Sequence, residues 1–124
     1  MSLKVYAYRR ASPDADLEFL PPPPPPANEA AGSEGSRHGF WSHRALVRRG
    51  LRILPFLREG DVYADGSGLD ELEREVATIR GDFAAIVRET GEDPDWLRFR
   101  LDNIAAAIRL AREVDNGIGG VYIG

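Results

Sequence analysis

Between Ser67 and Asp115 apolar residues recur with a helical period, and this stretch constrains the fold more than any other. Leu69, Leu72, Val76, Ile79, Phe83 and Ile86 alternate steps of three and four residues, which places them in one stripe. Ser67 is positioned as N-cap, with Asp70 as the acid of a capping box. Asp70, Glu71 and Glu73 crowd the first turn and Arg88 sits in the last, as the helix dipole favours. Gly91 can end the helix in a left-handed conformation. Asp93 then caps a second helix whose first position suits Pro94. A turn this short forces the two helices antiparallel.

The second helix differs in kind. At about 100 degrees per residue, Leu97, Leu101, Ile104, Ile108 and Ala111 fall on one side. Phe99, Ala106 and Leu110 fall on nearly the opposite side, with Trp96, Ala107 and Val114 between. The apolar arc spans roughly 220 degrees, more than twice that of an ordinary surface helix. Such a helix is expected to be covered on two sides, by the first helix and by a sheet. Arg98–Asp102 and Arg109–Glu113 are spaced as exposed ion pairs. Arg100 and Asn103 interrupt the apolar arc. A buried guanidinium needs a partner, so a carboxylate or several carbonyls are expected beside Arg100. Arg100 reads either as a paired or snorkelling structural arginine, or as a group that holds an anion or a partner with Asn103 assisting.

The rest of the chain supplies strands. Leu3, Val5 and Ala7 alternate with Lys4, Tyr6 and Tyr8, the period of a half-buried strand. Leu17–Leu20 reads as a short edge strand or a loop packed on the core. Phe40–Arg49 reads as a short peripheral helix, with Ser42 as its cap, Leu46 and Val47 inward and Gly50 as its stop. Leu51–Leu57 reads as a strand that Pro55 confines to an edge or a bulge. Val62 and Ala64 alternate with Tyr63, and Val121–Ile123 makes a last strand docked beside the first or another inner one. The expected fold is α+β: a small, mostly antiparallel sheet of about four strands packed on an antiparallel two-helix hairpin, plus one short peripheral helix. Residues 1–124 form a single domain, with a Pro-, Gly- and Ser-rich flexible insert over 21–36.

With the aliphatic positions turned to the hairpin, the opposite sheet face collects Tyr6, Tyr8, Tyr63 and Tyr122, all four tyrosines of the chain. Tyrosine combines large area, low entropy cost and a hydroxyl, which suits interfaces. Alternatively the Pro-rich insert or the Phe40 helix folds over this face. Six consecutive prolines from Pro21 to Pro26 would make a polyproline II rod of about 19 Å, a ligand for an aromatic groove or a stiff spacer.

Charge is arranged in blocks beneath a net of −4. Six arginines and no acid occupy 37–58; seven acids and one arginine occupy 59–75. The acidic block, including Asp61 and Asp65, can face a basic partner, or the two blocks neutralise one another. The overall sign argues against nucleic acid as a partner. The chain has no cysteine, so disulfides, thiol nucleophiles and cysteine metal sites are excluded. His38 and His43 are five apart with no acid nearby, so no metal or cofactor is expected. No apolar run suits a membrane span and no signal-peptide pattern opens the chain, which gives the expectation of a cytoplasmic location.

The segment DPDWLRFRLDNIAAAIRL (Asp93–Leu110) and the closing GGVYIG resemble small bacterial α+β proteins, some of which act as immunity partners of secreted toxins. The resemblance covers the C-terminal third and implies a cytoplasmic, non-enzymatic protein-binding role. Three functions are therefore in view. The first is a protein-binding domain of immunity type, using the tyrosine face or the acidic surface against a basic partner. The second is a small-anion-binding protein or enzyme with a pocket at Arg100 and Asn103 between sheet and hairpin. The third is a homodimer whose tyrosine faces pair. No catalytic residues are assigned, because no nucleophile, base and orienting group assemble from any local pattern.

Overall fold

A computed structural model describes residues 2–124, and it has the α+β architecture expected. Strand β1 (Ser2–Arg9) pairs with β5 (Gly119–Ile123), and β5 pairs with β4 (Val62–Asp65), all antiparallel. The last strand is therefore an inner one. The other edge of β1 is shared. β2 (Glu18–Phe19) pairs with its C-terminal end and β3 (Ala30–Ser33) with its N-terminal end. The chain between them leaves the edge at Leu20, whose N–H donates to Ala7, and returns at Glu29, whose carbonyl accepts from Val5. A strand thus lies inside the stretch expected to be a flexible insert, because the free edge of β1 offers Ala30–Ser33 a ladder.

Leu3, Val5, Ala7, Val62, Ala64, Val121 and Ile123 form the buried side of the sheet. Helix α4 (Pro94–Arg112) packs on that side against β1, β3 and β5, and α2 (Ser67–Gly81) packs against α4 and β4. The Asp93 carboxylate caps α4 through the N–H of Trp96 at 2.8 Å, and Gly91 takes the left-handed conformation at φ 73° that ends the preceding helix. On a third side of α4 the proline run borders two clefts. Pro23 and Pro24 lie beside Ala106 and Leu110, and Pro24–Ala27 lie beside Phe99 and Ala105.

The remaining expectations need correction. The first helix of the hairpin is two helices, α2 and α3 (Phe83–Thr90), broken at Asp82 (φ −113°, ψ 26°). Gly81 weakens the helix there, and Arg49 holds the Asp82 carboxylate at 2.9 Å. Gly66, not Ser67, is the N-cap of α2. Arg98 pairs with Asp95, and Asp102 pairs with Arg80, so the ion pair expected between Arg98 and Asp102 is replaced by two others.

The short helix is α1 (Arg44–Val47), capped by His43 Nδ1, which accepts from Ala45 N. Ser42 instead donates to the Arg37 carbonyl. Ala45 and Leu46 point inward, whereas Val47 is exposed. Before α1, the turn Arg37–Trp41 buries Phe40 and Trp41 against Trp96, and Trp41 Nε1 donates to the Ala31 carbonyl of β3.

No strand forms over Leu51–Leu57. Leu51, Leu54 and Leu57 are buried at three-residue spacing, and Pro55 opens a turn of 3-10 helix, Pro55–Arg58. The cause lies in α2. The buried Glu75 carboxylate accepts from the N–H groups of Arg52 (2.8 Å), Ile53 (2.8 Å) and Leu54 (2.9 Å), so a side chain takes the place of a neighbouring strand.

Candidate functional site

Alternation along β1, β4 and β5 turns Tyr6, Tyr63 and Tyr122 to the side of the sheet away from the helices, and the register places them in one row. The rings of Tyr63 and Tyr122 are 5.1 Å apart. Phe19, carried by β2, lies 5.4 Å from Tyr122 and 5.2 Å from Tyr6. Four aromatic rings thus run across the sheet, at spacings typical of interacting pairs. Phe19 is 51 % exposed and Tyr63 is 54 % exposed; Tyr6 and Tyr122 are partly covered by their neighbours. The proline run lies against α4, on the other side of the sheet, so it does not cover this row.

Tyr8 shares the face but is fully buried. Its ring reaches over Gly120, where a Cβ would collide with it, and its hydroxyl donates to Asp65 Oδ2 at 2.6 Å. Burial and the Asp65 carboxylate both push the Tyr8 phenol up. Arg10 Nη2 donates to the same Asp65 oxygen at 3.0 Å, and the guanidinium stands over the Tyr8 ring.

The other rim is built similarly. Asp61 accepts from Arg37 Nη2 at 2.8 Å and from the Tyr122 hydroxyl at 3.0 Å. Arg37 also donates to Glu34 and to the carbonyls of Leu57 and Gly60, which fixes it as a bracket between the loop segments. The Arg37 guanidinium holds Asp61 below the usual carboxylate range, partly opposed by burial. Burial and the hydrogen bond to Asp61 raise Tyr122 to about 12. Asp61 and Asp65 are therefore each paired with an arginine, Arg37 being shared with Glu34, and the aromatic row lies between two ion-paired rims.

Arg100 and Asn103 lie on α4, on the opposite side of the sheet from the tyrosines, and do not join this face. The Asn103 side chain is fully occupied: its Oδ1 accepts from Asn28 N at 2.9 Å, and its Nδ2 donates to Asn28 Oδ1 and the Ala30 carbonyl. It clips the returning end of the insert to α4. Aromatic rings, not the expected carboxylate or carbonyls, meet Arg100. Its guanidinium lies 5.1 Å from the Trp96 centroid and 5.3 Å from that of Phe99, and its buried Nε has no hydrogen-bond partner.

Phe19 is the member of the row that sequence reasoning misses. A two-residue strand shows too little alternation to assign its faces. Among the described residues no three His, Asp or Glu side chains gather as a metal ion would require, and no helix is long and apolar enough to cross a membrane. The chain matches no family model, no curated protein and no solved structure.

Proposed function

We propose that this chain is a non-enzymatic protein-binding domain that docks through the face formed by Tyr6, Phe19, Tyr63 and Tyr122. The observation that carries the reading is the continuous, half-exposed aromatic row on an uncovered sheet face. Rigid aromatic side chains lose little entropy on binding, and they dominate the energetic centres of interfaces. Arg10–Asp65 and Arg37–Asp61 border the row as a polar rim, in the usual arrangement of a protein interface. A basic partner surface would meet Asp61 and Asp65 by competing with the arginines they already hold. The resemblance of Asp93–Leu110 to bacterial immunity-type proteins favours a cytoplasmic partner of that kind.

The test is affinity capture from the native host with the wild-type chain, with the double variant Phe19→Asp/Tyr63→Asp, and with Val47→Asp. Val47 is an exposed apolar residue on α1, outside the row, and serves as the control. Captured partner should bind the double variant roughly tenfold or more weakly and bind the control as it binds the wild type. Undiminished binding to the double variant would remove the aromatic face from the reading.

A further inference from the structure

Exposure along the proline run repeats every third residue. Leu20 and Pro23 are half-buried, while Pro21, Pro22, Pro24 and Pro25 are exposed. A polyproline II helix has three residues per turn, so this is the burial pattern of such a helix lying with one edge on the body of the domain. Leu20 packs on the core, and Pro23 lines a cleft with Ala106 and Leu110 of α4, so their shared edge faces inward. The other two edges each carry a proline pair three residues apart, Pro21 with Pro24 and Pro22 with Pro25. A turn at Pro25–Pro26 ends the extended stretch.

Both ends of the segment are fixed. The Leu20 N–H donates to the Ala7 carbonyl at 2.9 Å, and the Glu29 carbonyl accepts from Val5 at 2.8 Å. The Asn28–Asn103 bonds hold the returning end to α4. Proline fixes its own φ and keeps the residue before it extended, so the ridge is ordered before any partner arrives. A run of prolines has no N–H to add to a sheet edge; it offers ring surface and carbonyl oxygens. No carbonyl of Pro21, Pro22 or Pro23 accepts a hydrogen bond from the described residues. Rigid rings at three-residue spacing and free carbonyls are what an aromatic-lined groove reads, its rings against the prolines and its indole or phenol groups donating to the oxygens.

We propose that the ridge Pro21–Pro25 docks in the aromatic-lined groove of a partner domain of the polyproline-recognising kind. The two outward edges enter the groove, and the inward edge stays on α4. This surface lies on the opposite side of the sheet from the aromatic row, and the inference stands without the reading of that row. A second copy of the chain does not supply the groove. The rings of its own row touch, with centroids 5.1 to 5.4 Å apart, and leave no slot for a proline between them.

The test titrates purified SH3, WW and EVH1 domains, three kinds of polyproline-binding groove, with the intact chain. One variant, Pro21→Ala/Pro22→Ala/Pro24→Ala/Pro25→Ala, removes the outward rings, all of them exposed, and leaves the core intact. A second, Pro23→Ala, changes only the inward edge, and a third is Phe19→Asp/Tyr63→Asp. At least one domain should bind the wild type, bind the first variant roughly tenfold or more weakly, and bind the other two as it binds the wild type. Binding by none of the three domains, binding that the first variant retains, or an equal loss on Pro23→Ala would overturn the ridge as a docking element. Capture of a partner through the aromatic row should survive the first variant, so the two readings fail separately.

Discussion

The Tyr8 hydroxyl donates a 2.6 Å hydrogen bond to Asp65, tying β1 to β4 across the intervening β5. The bond exists because Gly120 has no side chain beneath the Tyr8 ring. It closes one end of the aromatic face while the rings of Tyr63 and Phe19 stay open.

Gly120→Ala should therefore displace Tyr8 and break its bond to Asp65. Overpacking and the lost hydrogen bond together should lower stability by about 2–4 kcal/mol, measured by urea unfolding. Tyr8→Phe, which removes only the hydroxyl, should cost about 1–2 kcal/mol. Equal losses in the two variants would show that the close approach at Gly120 is not what matters.

The Asp61–Tyr122 contact gives opposite pH limbs. Asp61 is depressed below its ordinary 3.8 in the folded chain, so its contribution is present above that pH and fades as pH falls through the folded value. Tyr122 is raised from 10.0 to about 12, so its contribution is present below pH 10.0 and is lost as pH climbs toward 12. Asp61→Asn should flatten the acid limb of the stability curve. Tyr122→Phe should remove a late phenolate signal from an alkaline absorbance titration. An unchanged titration curve would argue against the raised Tyr122.

Glu75 holds a whole loop through one carboxylate. Glu75→Ala leaves the N–H groups of Arg52, Ile53 and Leu54 without their acceptor, and should cost about 3 kcal/mol or more by chemical denaturation. The same loop supplies Ile53 and Phe56 to a groove beside β4, so amide exchange over residues 52–57 should accelerate together.

Asn103 performs a comparable task for the insert. Asn103→Leu should release Asn28 and Ala30, speed exchange at the Val5 amide that bonds Glu29, and leave the β1–β5 ladder protected. A uniform loss of protection would mean that Asn103 supports the whole core.

The sequence exposed those parts of the fold that local chemistry determines. The α4 cap at Asp93, the left-handed Gly91 and the alternation of β1, β4 and β5 follow from residues within a turn or a strand of one another. The break at Asp82 has a local sign in Gly81, but the apolar stripe runs through it, and the Arg49 contact that accompanies it comes from a residue distant in sequence. The segment Leu51–Leu57 has apolar residues that suit a strand; the three-residue spacing of Leu51, Leu54 and Leu57 and the proline at 55 are local signs of a turn, and Glu75, more than twenty residues away, holds it. The width of the α4 arc signals burial on more than one side, but nothing local places the prolines near that helix. Of the site, the tyrosine row was readable from period-two alternation. Phe19 was not, and neither was the pairing of Asp61 and Asp65 with arginines distant in sequence.

A docking face that is open in the free chain and covered in use is tested most directly by hydroxyl-radical footprinting of the purified chain and of the chain in complex with its captured partner. Phe19, Tyr63 and Tyr122 should oxidise readily in the free chain and be protected in the complex, while exposed Val47 oxidises alike in both. Equal oxidation of the three aromatic residues in the two states would contradict a partner seated on the sheet.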